Sequence, residues 1–289
     1  MKFGIILPNF GQTATRLSLI DTINAAESLG FDSAWLTDHI ALPSSESKGF
    51  SHIFESISSM AYLAAQTRTI KLGLSSLVLP QRNPMEIAKS IATIDVLSGG
   101  RIMIATGIGW SEGEYKNLGS NFSNRGQRMT EAVRVLRTLW RGQTKASFKG
   151  QFYQFEEMTF SPTPIQAGGP PLWIAGNSMP ALKRAVFLAD GWHPNASTPE
   201  IIKAKLDQVQ PLIQNRPFTI SIRFILDFNP KESSISNLSG NSEKIIKDLN
   251  CYKIMGMNYA IIEFSANSQS ERERSMRKFV QEVIPNLDK

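Results

Sequence analysis

Short apolar runs alternate with segments of helical period along nearly the whole of this 289-residue chain, and that alternation restricts its fold more than any other feature. The runs fall at 3–7, 34–37, 70–79, 102–106, 172–175, 218–226 and 259–264, and Asp190-Gly191-Trp192 supplies a very short eighth. Apolar strands separated by amphipathic helices make a parallel sheet that is covered on both faces or closed on itself. Eight strand–helix units in this length predict an α/β fold of the (β/α)8 TIM-barrel type, a single domain spanning 1–289.

The helical segments carry their own stops. Ile20, Ile23 and Leu29 share a face that ends at Gly30. Asn83-Pro84 reads as an N-cap followed by proline at the first helical position, and Ile87, Ile91, Ile94 and Leu97 form an apolar face closed by Gly99-Gly100. Met129, Val133, Leu136 and Trp140 repeat the pattern, and Met276, Phe279, Val280 and Val283 close the chain before Pro285. The stretch 146–162 breaks the rhythm: its alternation around Gly150 reads as a hairpin inserted on the rim. The segment 229–242, rich in Ser and Asn, reads as a loop after the seventh strand.

Composition narrows the setting. One cysteine, Cys251, rules out an internal disulfide framework and fits a reducing compartment. The first apolar run is cut short by Pro8-Asn9, so no secretory signal is expected, and nothing approaches the roughly 18 apolar residues of a membrane span. The expected location is cytoplasmic, with no membrane partner. A net charge of +6 raises the question of nucleic acid. The basic residues are scattered, however, and Arg272, Arg274, Arg277 and Lys278 interleave with Glu271 and Glu273 as on a solvated helix face. No nucleic-acid partner is expected.

In a barrel the carboxyl ends of the strands build the active site. The second strand runs into Asp38-His39, two ionisable residues directly behind a core strand. As a bare pair they can equally cap a turn and satisfy a loop carbonyl. Other strand ends shift that balance. The third strand ends with Ser75 and Ser76, small residues that let a flat group approach the backbone. Gly107 and Gly109 do the same after the fourth, where Trp110 offers an aromatic wall, although a lone Gly-x-Gly can also be a simple turn. After the fifth, Gly176-Asn177-Ser178 precedes a helix whose free N–H groups suit an anion such as a phosphate, a role compatible with plain capping. Clusters of His or Cys, a P-loop and a Gly-x-Ser-x-Gly elbow are all missing, so no metal site is expected.

The stretches FGIILPNFG, DSAWLTDHIALP, LGLSSLVLPQRNPMEIAKSIATIDVLSGGRIMIATGIGWSEGEY, NRGQRMTEAVRVLRTLW and PLWIAGNSMPALKRAVFLADGWHP resemble the bacterial luciferase-like flavin-binding barrels. Within that family the likeness is greatest to the F420-dependent oxidoreductases. It runs from residue 3 to about 195, and beyond that only the strand–helix rhythm is shared. The resemblance implies a homodimeric barrel with a flavin or 5-deazaflavin ring across the strand ends. It places a bulge with a non-prolyl cis peptide at Ser75-Ser76, the deazaflavin-contacting pair at Asp38 and His39, and the phosphate turn at Ala175, Gly176, Asn177 and Ser178. Gly107 and Gly109 map onto the family's Gly-x-Gly. Trp110 stands where sugar-phosphate-oxidising members have a catalytic glutamate, and Glu112 is near but not aligned, which argues against that substrate.

The reading that combines residues and resemblance is an oxidoreductase moving a hydride between coenzyme F420 and a small organic substrate. Asp38 then accepts a hydrogen bond from the ring or a backbone donor, and His39 is the catalytic group. It either exchanges the proton that accompanies the hydride or stabilises the reduced ring as a cation. The alternatives are a monooxygenase using reduced FMN and dioxygen, and a catalytically silent flavin-binding barrel.

Overall fold

The computed structural model describes residues 1–47, 49–142, 145–213, 216–230 and 237–287. Along the chain run β1 (Lys2–Ile6), α1 (Arg16–Ser28), β2 (Ser33–Leu36), α2 (Ser56–Gln66), β3 (Lys71–Val78), α3 (Pro84–Ser98) and β4 (Ile102–Gly107). They are followed by α4 (Glu112–Asn117), α5 (Arg125–Trp140), β5 (Ala146–Lys149), β6 (Gln154–Met158), β7 (Leu172–Ala175), α6 (Met179–Leu188) and β8 (Gly191–His193). The chain ends with α7 (Pro199–Ile213), β9 (Thr219–Asp227), β10 (Leu238–Ser239), α8 (Ser242–Ile254), β11 (Tyr259–Phe264) and α9 (Gln269–Lys278).

β1, β2, β3, β4, β7, β8, β9 and β11 pair in parallel, and the pairings β8–β9 and β11–β1 close the ring, making the eight-stranded (β/α)8 barrel that the alternation predicts. The eighth strand expected at Asp190-Gly191-Trp192 is present one residue further on, as the three-residue β8, with Asp190 just before it. β5 and β6 form an antiparallel hairpin outside the barrel, as the break in rhythm at 146–162 indicates. The loop expected at 229–242 lies partly outside the described residues, at 231–236; its far end adds β10 beside β9, and α8 begins at Ser242.

Two corrections concern helix faces. Asn83 caps α3 by accepting from Met85 N at 2.9 Å, and Ile87, Ile91 and Ile94 are buried, but Leu97 is 79% exposed. The inward place one turn after Ile94 is taken by Ser98, so the buried stripe ends on a small residue beside Gly99. Arg272, grouped in sequence with a solvated basic face, is buried.

The barrel interior is filled by Ile6, Trp35, Met103, Ala105, Trp173, Tyr259 and Ile261. Trp35 stacks on Trp173 with ring centroids 5.1 Å apart, and Tyr259 meets Trp173 edge-on at 5.1 Å. A tryptophan inside so narrow a ring needs neighbours without side chains. Gly4 on β1 and Gly73 on β3 flank it, and a Cβ on either would overlap the indole. Trp35 Nε1 donates to Ser33 Oγ at 2.6 Å, and Ser33 Oγ shares a 2.7 Å hydrogen bond with Tyr259 Oη, so the polar atoms of Trp35 and Tyr259 are satisfied within the barrel. Among the described residues no helix is long and apolar enough to cross a membrane.

Gly73→Ala is therefore expected to lower unfolding stability in urea by about 1–3 kcal/mol, the usual cost of overpacking a core. Trp35→Leu combined with it should recover part of that loss.

Candidate active site at the barrel mouth

Above the aromatic layer the interior turns polar, because the strand ends stop burying side chains against one another and begin to face a cavity of about 580 Å3. His193, at the end of β8, lies between Ser75 Oγ (Nε2, 2.8 Å) and Ser221 Oγ (Nδ1, 3.0 Å). Burial, and next the nearby Arg223 cation, push its pKa down to about 3, so this imidazole is neutral at physiological pH. Arg223 Nη1 donates to Ser75 O at 2.9 Å and to Thr37 Oγ1 at 3.2 Å, while Nη2 pairs with Glu263 at 2.6 Å.

The Ser75–Ser76 peptide is cis, as the resemblance implies. The register between β3 and β4 slips by one residue there, from Leu74↔Ile104 to Leu77↔Thr106, which is a β-bulge. The bulge turns Ser75 and Ser76 to the cavity. Opposite them Gly107 gives β4 a bare surface, since a Cβ there would come within 2.9 Å of Ser76 Oγ. Gly109 and Gly176, with φ of +70° and +119°, continue that wall in conformations that favour glycine.

The structure brings Asp38, His39, Ser75, Ser76, Gly107, Gly109, Trp110, Ala175 and Gly176 to one cavity. Asn177 and Ser178 adjoin it in the chain, but their side chains shape the turn. Asn177 exchanges hydrogen bonds with the Asn195 backbone at 3.0 and 2.9 Å, and Ser178 caps α6.

Asp38 and His39 have different surroundings. The Asp38 carboxylate is committed to the protein: Oδ1 accepts from Ser56 Oγ at 2.8 Å and Arg82 Nη2 at 2.6 Å, and Oδ2 accepts from Val78 N at 3.0 Å. It fastens the end of β2 to the chain just past the bulge. His39 Nε2 accepts from Trp110 Nε1 at 3.2 Å. Its Nδ1, 3.0 Å from Glu114 Oε2, is then the protonated nitrogen and donates to that carboxylate.

Glu114 is the residue that sequence reasoning missed. Oε1 takes the amides of Ile40 (2.7 Å) and Ala41 (3.1 Å), and Oε2 takes His39 and Gln81 Nε2 (3.2 Å). Burial alone would push its carboxyl up; the hydrogen bonds from His39, Ile40 and Ala41, with the His39 charge, outweigh it and hold the pKa near 2. The available signal was Ser111-x-x-Glu114, a capping-box spacing. Ser111 does cap α4, accepting from Glu114 N at 2.9 Å, but the Glu114 side chain turns instead to the histidine. Glu112, weighed from sequence, is exposed. Phe50 also escaped notice: it stacks on Phe10 (5.0 Å) and lies 5.0 Å from the His39 ring, giving the mouth an aromatic side. Among the described residues no group of His, Cys, Asp and Glu gathers where it could hold a metal ion.

Comparison with known proteins fits this geometry. The chain is 35% identical over 156 residues to an FMNH2-dependent dimethylsulfone monooxygenase of Pseudomonas putida, which is 53% of this chain and 42% of that protein. Over 179 residues it is 35% identical to an F420-dependent glucose-6-phosphate dehydrogenase of Nocardia farcinica, 60% of this chain and 52% of the other. It thus spans about half the length of these relatives. The solved coenzyme F420 dependent tetrahydromethanopterin reductase of Methanopyrus kandleri has the same fold, with a TM-score of 0.79 at 17% identity over 99% of both chains. Residues 1–227 match the luciferase-like monooxygenase family, and the chain belongs to it.

Proposed function

We propose that the chain is an oxidoreductase that transfers a hydride between coenzyme F420 and a small organic substrate, both held at the barrel mouth. One observation carries the reading: a wall surfaced by backbone and small side chains at Ser75, Ser76, Gly107, Gly109 and Gly176 faces the same cavity as the His39 imidazole, which is backed by a buried carboxylate. A flat ring needs such a wall, and the cavity of about 580 Å3 suits it. Bound there, a 5-deazaflavin supplies a carbon that gives or takes the hydride. Asp38 serves the cofactor through the bulge it fastens at Val78. Gly176 and the start of α6, shaped by Ala175, Asn177 and Ser178, suit its phosphate.

The proton falls to the protein. His39 is free to take one at Nε2 once Trp110, 53% exposed at the rim, moves aside. Glu114 then stabilises the imidazolium and fixes which nitrogen faces the substrate, the role a buried carboxylate plays beside any catalytic histidine. A reaction run in the other direction returns the proton from the same atom. The second reading, a monooxygenase using reduced FMN, draws on the identity to the dimethylsulfone enzyme.

Quenching of the five tryptophans during parallel titrations with coenzyme F420, FMN, FAD and NADPH separates the two. Micromolar binding of the deazaflavin is expected, and binding of FMN without it would reject the first reading. His39→Ala should keep cofactor affinity and lose about 10²–10⁴ in turnover; wild-type turnover would remove the catalytic assignment.

Glu114→Gln should lower kcat more than KM and cost about 1.5–3 kcal/mol of stability at neutral pH. Because folding depresses the Glu114 pKa, its contribution is present above the ordinary 4.5 and fades as pH falls toward about 2. Urea unfolding of wild type and variant should therefore converge as acid is added; a gap unchanged down to about pH 2 would contradict the assignment.

A further inference from the structure

Arg272 is only 6% exposed and lines a second chamber, of about 300 Å3, beside the mouth. The chamber lies between the ends of β1 and β11 and shares Phe10, Ile225 and Glu263 with the main cavity. Two features set this arginine apart. It is the fourth residue of α9, where the helix dipole disfavours a cation. Among the described residues its guanidinium also donates only to neutral oxygens, Nη1 to Gln269 Oε1 at 2.9 Å and Nη2 to Thr13 Oγ1 at 3.3 Å. Among the described residues no carboxylate forms an ion pair with it. Burial pushes its pKa down, and Glu263 and Glu271 act on it only through their fields.

A buried cation without a paired anion is costly, and removing it from water is repaid only when a well-placed negative group arrives. The planar fork of an arginine matches a carboxylate in two parallel hydrogen bonds. The chamber also limits the charge it can take. Glu263, held by Arg223 at 2.6 Å, lines the same walls and repels a dianion more than a monoanion.

We propose that this side chamber binds the carboxylate of a small, partly apolar monoanionic substrate, with Arg272 as its anchor and Thr13 and Ser265 beside it. The apolar part of such a ligand extends past Phe10 and Ile225 into the main cavity, toward His39. The proposal rests on the reading of the mouth as a substrate site and names the class of substrate that enters it.

The test uses the protein without cofactor. Benzoate, its uncharged isostere benzamide and inorganic phosphate are titrated by calorimetry into wild type, Arg272→Lys and Arg272→Gln, with coenzyme F420 titrated separately. Wild type should bind benzoate at least tenfold more tightly than benzamide and than phosphate. Arg272→Lys should weaken benzoate, Arg272→Gln should abolish the preference over benzamide, and both should bind the deazaflavin as wild type does. Equal affinity of wild type for benzoate and benzamide overturns the proposal without recourse to a variant. A preference that survives in Arg272→Gln, or phosphate binding as tight as benzoate, overturns it too. A benzoate preference lost in Arg272→Gln, in a protein that does not bind coenzyme F420, supports the chamber and counts instead against the deazaflavin reading.

Discussion

Four donors from two strand ends converge on the Glu114 carboxylate: His39 Nδ1, the amides of Ile40 and Ala41, and Gln81 Nε2. Because Glu114 itself sits in the first turn of α4, beyond β4, one buried charge locks together the chain after three consecutive barrel strands. Asp38 makes a parallel fastening one residue earlier, through Ser56, Arg82 and Val78. Remove either charge and the donors are left buried and unpaired, which costs more than the bonds themselves contribute. The shape of the mouth, the tautomer of His39 and the bulge on β3 all depend on these two carboxylates.

Below that ring the barrel has no room for charge. Trp35, Trp173 and Tyr259 fill the interior, with Gly4 and Gly73 yielding the space. His193 rests on this layer, its ring 6.1 Å from that of Trp35, and stays neutral because burial and Arg223 both oppose its protonation. The two imidazoles of the mouth thus have separate uses. His193 ties β8 to β3 and β9 through serine hydroxyls, whereas His39 faces the rim with a carboxylate behind it.

The barrel was legible because burial on both faces writes itself into each strand as an apolar run, and even the short β8 leaves that trace at Gly191 and Trp192. The cavity-lining positions were legible for a related reason. Ser75, Ser76, Gly107 and Gly176 are small where a core strand would carry a large side chain. What sequence hid is what depends on contacts distant along the chain. Glu114 pairs with His39 across 75 residues, and its local spacing mimics an ordinary cap. Arg272 shares its helix with exposed charges, and only the packing of α9 against the loop after β1 shows that it faces inward, toward Thr13. Leu97 failed in the opposite sense: periodicity assigns it to the core, and the end of α3 turns it to solvent.

The central claim is that a charged Glu114 sets the tautomer of His39, placing the proton of the neutral ring on Nδ1. With three histidines in the chain, nitrogen-15 NMR of the imidazoles, recorded at a pH high enough that the rings are neutral, addresses it directly. The expected spectrum gives His39 a protonated Nδ1 and an unprotonated Nε2 as two widely separated signals, and Glu114→Gln merges or exchanges them. A His39 protonated on Nε2 alone, or a spectrum unchanged in Glu114→Gln, would contradict the claim.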